Sequence, residues 1–409
     1  MQDEHVEWVK ANAVKFRSVD PADTDFSDLQ KLKELIGDAQ IVQLGEQSHG
    51  DGTCFETKIR LIKFLHQEMG FDVLAFESGI YDCRKAWQKF EAGKKGYGAA
   101  SSGVFGIWTS SKQTASLWEY LEEKSQTESP LELAGFDCQF TALASSLFLI
   151  KDVKAFAANH KLTSLNKKAF GQFCQQLNDF RKGEPEGDKA DFDGAIQKLI
   201  IEITAKIEND ANLDTESTEE LSFWLQNFKS IKAHADNRWG NDSSPMEGVA
   251  DRDEQMAKNL IWMASTQFPK RKIIVWAASF HIMRNPPEIE VPSGSIDYSE
   301  VVQMGHRVHE ELGRRVFTVG FTAYQGKAGA FHRPKFDIGK APAGTLEDIF
   351  FRSKIENGFL ALNSKDKNGK WLNEKMFSRP LGYGWMKANW GRHFDAMIFN
   401  QTVKPSTAR

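Results

Sequence analysis

Two short segments hold the residues best suited to acid–base work. Gly45-Glu46-Gln47-Ser48-His49-Gly50 sets a glutamate three residues before a histidine. Ser279-Phe280-His281 supplies a second histidine, and Glu77 and Asp137 each stand just beyond a short apolar run. A histidine beside a carboxylate is a general-base pair. The carboxylate fixes the ring tautomer and stabilises the imidazolium that forms when the ring takes a proton. Such a pair activates a water or a hydroxyl, and nearby cations steady the oxyanion that develops on the attacked group. The same His, Glu and Asp residues are also divalent-metal ligand types, so metal-dependent hydrolysis is a competing reading. Gly45–Gly50 lacks the GxxxxGK[ST] pattern of a phosphate-cradling loop. No G-x-S-x-G elbow is present, so the usual serine-hydrolase architecture is unsupported.

These residues need elements to bring them together. Short β-branched or apolar runs occur at Ala39–Leu44, Asp72–Phe76, Leu131–Phe136, Lys272–Ala277, Arg315–Phe321 and Asp395–Phe399. Helix-period segments lie between most of them. The alternation predicts βαβ units in an α/β fold, with a mostly parallel sheet flanked by helices. In open α/β sheets, ligands bind outside the carboxyl ends of the strands. Glu46, His49, Glu77, Asp137 and His281 all follow strand ends, on four separate strands, and their convergence is the strongest functional signal in the sequence. The helix after His49 adds a cation. Phe55, Ile59, Ile62, Leu65 and Met69 form its apolar stripe, and Lys58 falls near the middle of that stripe. A buried ammonium is costly unless paired, so Lys58 is expected to reach a strand-end carboxylate; snorkelling to solvent is the plainer alternative. Asp251–Asp253 reads as the acidic first turn of another helix. Arg252 shares a face there with Met256, Asn259, Leu260 and Met263, and is expected to reach a strand-end carboxylate, Glu46, Glu77 or Asp137, bidentately, for substrate or simply for structure.

The stretch 141–250 differs from the rest, with long amphipathic segments and a turn-rich break, KGEPEGDKAD. It reads as a large helical insertion in a single α/β domain spanning 1–409, whose core is 39–140 and 251–402. It ends in NRWGNDSSPMEG, expected as a loop, and the insertion is expected to form one wall of the cleft above His49, with Trp239 as a candidate ligand contact; a merely solvated loop is the alternative. Lys+Arg 52 against Asp+Glu 56 gives a net charge of -4 over 409 residues, which argues against a dedicated nucleic-acid binder. There is no apolar run of about 20 residues for a membrane span. The N-terminus, MQDEHVEWVKANAVKF, has no apolar signal region. The 4 cysteines are too scattered for a disulfide scaffold or a zinc cluster. A reducing, cytoplasmic setting is therefore expected, with a periplasmic or secreted one open if a leader has been removed.

Taken in order, IVQLGEQSHGDGTCFETKIRLIKFLHQEMGFDVLAFES, GFDCQ, RDEQMAKNLIWM, KIIVWAASFHI, MGHRVHEELGRRVFTVGF and FDAMIFNQT resemble the erythromycin esterase family over about residues 39–402. The resemblance implies an α/β core with an added helical region. It also implies hydrolysis of a carboxylic ester or lactone (in known members a macrolide, hence antibiotic resistance), without a serine nucleophile, a metal or any other cofactor. Carried over by position, His49 would activate water, with Glu46, Glu77 and His281 beside it and Lys58 as the basic residue on the following helix. One departure stands out. Relatives commonly have two histidines after this strand, as in WAHNxH, whereas here Ala278 and Ser279 occupy the first histidine and the asparagine. The departure points to altered substrate scope, with Ser279 or His306 standing in. A lapsed site that binds without turnover is the alternative from a different class.

Overall fold

The computed structural model describes residues 2–182, 187–239, 245–294, 296–298, 301–363 and 366–409. The strands run in chain order β1 (Val14–Lys15), β2 (Ile41–Leu44), β3 (Val73–Gly79), β4 (Glu132–Asp137), β5 (Ile273–Trp276), β6 (Val316–Ala328), β7 (Phe336–Asp337), β8 (Asn357–Ala361), β9 (Met376–Ser378), β10 (Met386–Ala388) and β11 (Ala396–Val403). The main sheet has the order β1-β8-β11-β6-β2-β5-β3-β4, with β7 paired to β6, while β9 and β10 form a separate hairpin. From β11 to β4 every pairing on this path is parallel. β8 and β1 close one edge antiparallel. The chain is thus α/β with a mostly parallel sheet, and the six expected runs are its six parallel strands.

The alternation of side chains explains why the sheet is covered on both sides. Val73, Ala75, Ile273 and Val275 join one buried cluster, while Leu74, Phe76, Ile274 and Trp276 join the other. A strand buried on both faces reads as a continuous apolar run, as these do. The helix Gly52–Met69 follows β2 and lies in the second layer. It ends where Gly70 takes a left-handed conformation and returns its amide to Leu65.

Four helices, Leu143–Asn159, Lys167–Lys182, Lys189–Asn209 and Thr215–Trp239, follow β4 and share a cluster built from residues such as Leu149, Phe173, Phe192 and Phe228. Ile80 and Tyr81, just after β3, belong to the same cluster and tie these helices to the sheet. Two expectations need correction here. The Asn237–Gly248 segment is not a continuous loop: helix Thr215–Trp239 runs through its start and helix Pro245–Trp262 covers its end, while 240–244 lie outside the described residues. That second helix begins at Pro245, so Asp251–Asp253 are not its first turn. Among the described residues no helix is long and apolar enough to cross a membrane.

Candidate active site

The parallel strands deliver their carboxyl ends to one edge, and the chemistry gathers there. Glu46 lies two residues past β2 and is fully buried. One of its oxygens sits 2.7 Å from His49 Nδ1 and accepts the indole N–H of Trp108 at 3.1 Å. The other accepts from Lys58 Nζ at 3.0 Å. Lys58 has no exposed side-chain surface. Its ammonium also lies 4.0 Å from the centroid of the Trp276 ring, so a carboxylate and an aromatic face replace its lost water. His49 differs from these partners, because 40% of its side chain remains exposed and its ring meets Trp108 edge-on. The recess around the ring strips water from it and disfavours charge. The hydrogen bond to Glu46 and the charges of Glu77 and Glu46 outweigh that, so His49 is raised above its ordinary value of 6.5.

A second group stands beside the first. Arg252 donates to Asp137 at 2.6 Å and to Glu77 at 3.1 Å, both through Nη2. Its Nε adds a 3.2 Å contact to Asp137. Its Nη1 has only a 3.4 Å approach to His281 Nε2. His281 is held at both nitrogens: Nδ1 lies 2.9 Å from both oxygens of Asp253, and Nε2 lies 3.2 Å from Glu77. Burial opposes charge on this ring, but Asp253 and Glu77 prevail and lift His281 to about 10, so it is an imidazolium at neutral pH. Burial alone would raise Glu77. His281, His49 and Arg252 instead hold it well below the usual carboxylate range. The Ala278 amide donates to the remaining Glu77 oxygen at 2.9 Å, so the backbone satisfies that carboxylate oxygen.

The loop carrying Glu46 and His49 is pinned by distant chain. A Cβ on Gly50 would come within 2.2 Å of the Ala330 amide nitrogen, and one on Gly45 within 2.4 Å of Ser279 Oγ. Ser406 donates to the Gly50 carbonyl at 2.8 Å, and Gly382 to that of Gln47 at 2.9 Å. Asp51, directly before helix Gly52–Met69, accepts from Tyr383 at 2.5 Å. Burial pushes the Asp51 carboxyl up to about 8, since the Tyr383 hydrogen bond offsets only part of the lost solvation.

Of the residues singled out from sequence, the structure brings Glu46, His49 and Lys58 into one group and Glu77, Asp137, Arg252 and His281 into the other. It does not bring in Trp239, whose ring packs against Phe180 at 4.2 Å and Phe192 at 5.4 Å, among the insertion's own aromatics. Nor does His306 join: its partners are the Asn285 amide at 3.2 Å and Glu310 at 3.5 Å. Ser279 Oγ is buried with no hydrogen-bond partner among the described residues, its amide donating to the Glu46 carbonyl. Asp253, Trp108 and Trp276 were missed. Asp253 carried a readable signal, because Met256, Ala257 and Leu260 follow at helical spacing and place it on the buried face. The two tryptophans offered none, being ordinary apolar residues until their rings meet Glu46 and Lys58.

Comparison with known proteins places the chain among relatives. The provisionally named hydrolase YbfO of Bacillus subtilis (strain 168) is 26% identical over 98% of this chain and 91% of its own. Erythromycin esterase type II of Escherichia coli is 22% identical, with 87% of this chain and 88% of that one covered. Among solved structures, a histidine mutant of the erythromycin esterase EreC in its open conformation superposes with a TM-score of 0.67 at 17% identity, covering 94% of this chain and 96% of that one. The family model described as Erythromycin esterase matches residues 66–403, a span that starts beyond the His49 loop and takes in Glu77, Asp137, Arg252 and His281. Such relatives indicate a hydrolase, and the chain belongs to the erythromycin esterase family.

Proposed function

We propose that this protein hydrolyses a carboxylic ester or lactone with a water activated by His49. The 2.7 Å contact between His49 Nδ1 and a fully buried Glu46 carries the reading, because it assigns the ring proton to Nδ1 and leaves Nε2 as the base. A water gives its proton to Nε2 as its oxygen adds to the ester carbonyl carbon. The tetrahedral oxyanion then collapses, the bond to the alcohol oxygen breaks, and His49 returns its proton to that oxygen. The products are a carboxylic acid and an alcohol, or one ring-opened hydroxy acid from a lactone. Arg252 Nη1 is the donor best suited to the oxyanion, since its other nitrogens are engaged by Asp137 and Glu77. Lys58 keeps Glu46 in place. His281 acts as a positioning residue, both of its nitrogens being occupied by carboxylates.

The metal-dependent alternative is less well supported by the donor set. Glu46, Glu77, Asp137 and Asp253 each already face a lysine, an arginine or a protonated histidine. Among the described residues no group of three His, Cys, Asp or Glu side chains is arranged to hold a metal ion. The binding-protein alternative rests on Ala278, which cannot orient water or donate to a carbonyl. A panel of esters and lactones, with products read by mass spectrometry with and without a chelator, separates the three. A product heavier by one water, formed equally in chelator, is the expected result. Activity lost to chelator and restored by metal would favour the second reading, and ligand binding without any turnover the third.

A further inference from the structure

Arg84 sits on helix Ile80–Glu91, directly after β3. It lines a separate cavity of about 520 Å³ formed by that helix, the edge strand β4 and the helices Thr215–Trp239 and Pro245–Trp262. No residue of the His49 or Arg252 groups lines it. The Arg84 guanidinium carbon lies 3.9 Å from the centroid of the Phe223 ring, a stacking that fixes the head group without using its N–H donors. Among the described residues Arg84 makes no hydrogen bond and no ion pair. Burial pulls it below the ordinary arginine value, and Glu220, Glu132, Glu219 and Glu91 offset that only in part.

The rest of the cavity narrows the chemistry of its occupant. Arg271 also lines it but is already engaged by Asp72 and Glu132, which leaves Arg84 as the unpaired cation. Trp87, Phe223, Trp262 and Phe268 supply apolar wall, while Glu91 and Glu219 stand exposed at the rim. A five-residue π-helix, Met263–Gln267, forms part of the wall, and such segments recur at functional sites. One unpaired guanidinium inside a negative rim suits a single negative charge and repels a phosphate dianion. Stacked arginine with free in-plane donors suits a carboxylate bound through two hydrogen bonds.

We propose that this cavity binds a small organic monocarboxylate, its carboxylate on Arg84 and its apolar body against Trp87 and Trp262. The test is a calorimetric titration of the full chain with 4-phenylbutyrate and with indole-3-acetate, against 4-phenylbutanamide and inorganic phosphate as controls. At least one carboxylate binds, and its affinity falls about tenfold or more in Arg84→Gln, which removes the guanidinium and its charge. Thr266→Trp, a change at an exposed lining residue that fills part of the cavity while keeping Arg84, produces the same loss and serves if Arg84→Gln folds poorly. His49→Ala leaves this binding intact, and Arg84→Gln leaves ester turnover intact. Four results would overturn the proposal: neither carboxylate binding up to about 10 mM, equal binding to folded Arg84→Gln and Thr266→Trp, amide or phosphate binding as tightly as carboxylate, or binding lost in folded His49→Ala.

Discussion

The division of labour between the two histidines is set by what their nitrogens touch. His49 has one carboxylate partner and an exposed edge, whereas His281 is bracketed by Asp253 and Glu77. His49 must be neutral to take a proton, and Glu46 raises its pKa above 6.5. Activity is therefore expected to climb with pH through an apparent pKa above 6.5, and Glu46→Gln to move that limb down while lowering kcat; a pH–rate profile of both proteins checks this. Ala278 is the residue proposed to govern scope. Its side chain is only half buried, and its amide lies against Glu77. Erythromycin ring opening is expected to be slow in the wild type and to rise about 10²-fold in Ala278→His, the order by which a donor to a developing oxyanion matters. Rapid ring opening by the unmodified protein would contradict that view.

At the scale of elements, precision comes from loops clamped by remote chain. Gly50→Ala would drive a methyl group into the backbone at Gly329 and Ala330. It is expected to cost about 1–3 kcal/mol in denaturant unfolding and to lower turnover further, because the shift falls on the His49 loop. The insertion has the opposite lesson. Trp239 packs with Phe180 and Phe192, so Trp239→Ala is expected to lower the melting temperature while leaving ester KM nearly unchanged. The parallel strands were legible because each contains a short apolar run buried on both faces. β1 and β8 were not: Val14–Lys15 is two residues long, and Asn357–Ala361 contains a glycine and pairs antiparallel at the edge. The start of helix Pro245–Trp262 was hidden by turn-like residues, Pro245 and Gly248, inside its first turns.

For the whole molecule, the charged cluster links function to stability. His281 takes a value of about 10 in the fold against 6.5 ordinarily, so the folded state holds its proton more tightly than the unfolded chain does. That contribution is fully present below pH 6.5 and is lost as pH rises toward 10. Thermal melts from pH 7 to 10 are expected to fall, and His281→Asn to be less stable at pH 7 but flatter over that range. Much of the site was readable, since carboxylates and histidines that follow strand ends must converge when the strands are parallel. What the sequence withheld were partners chosen by tertiary contact alone, such as Trp108 on Glu46, Trp276 on Lys58 and Tyr383 on Asp51. The central claim is that His49 is the base, and turnover by His49→Ala on an ester found in the panel tests it most directly. A folded variant losing about 10²–10⁴ in kcat, with its melting temperature kept, is the predicted result. A folded His49→Ala protein that hydrolyses the same ester at the wild-type rate would contradict it.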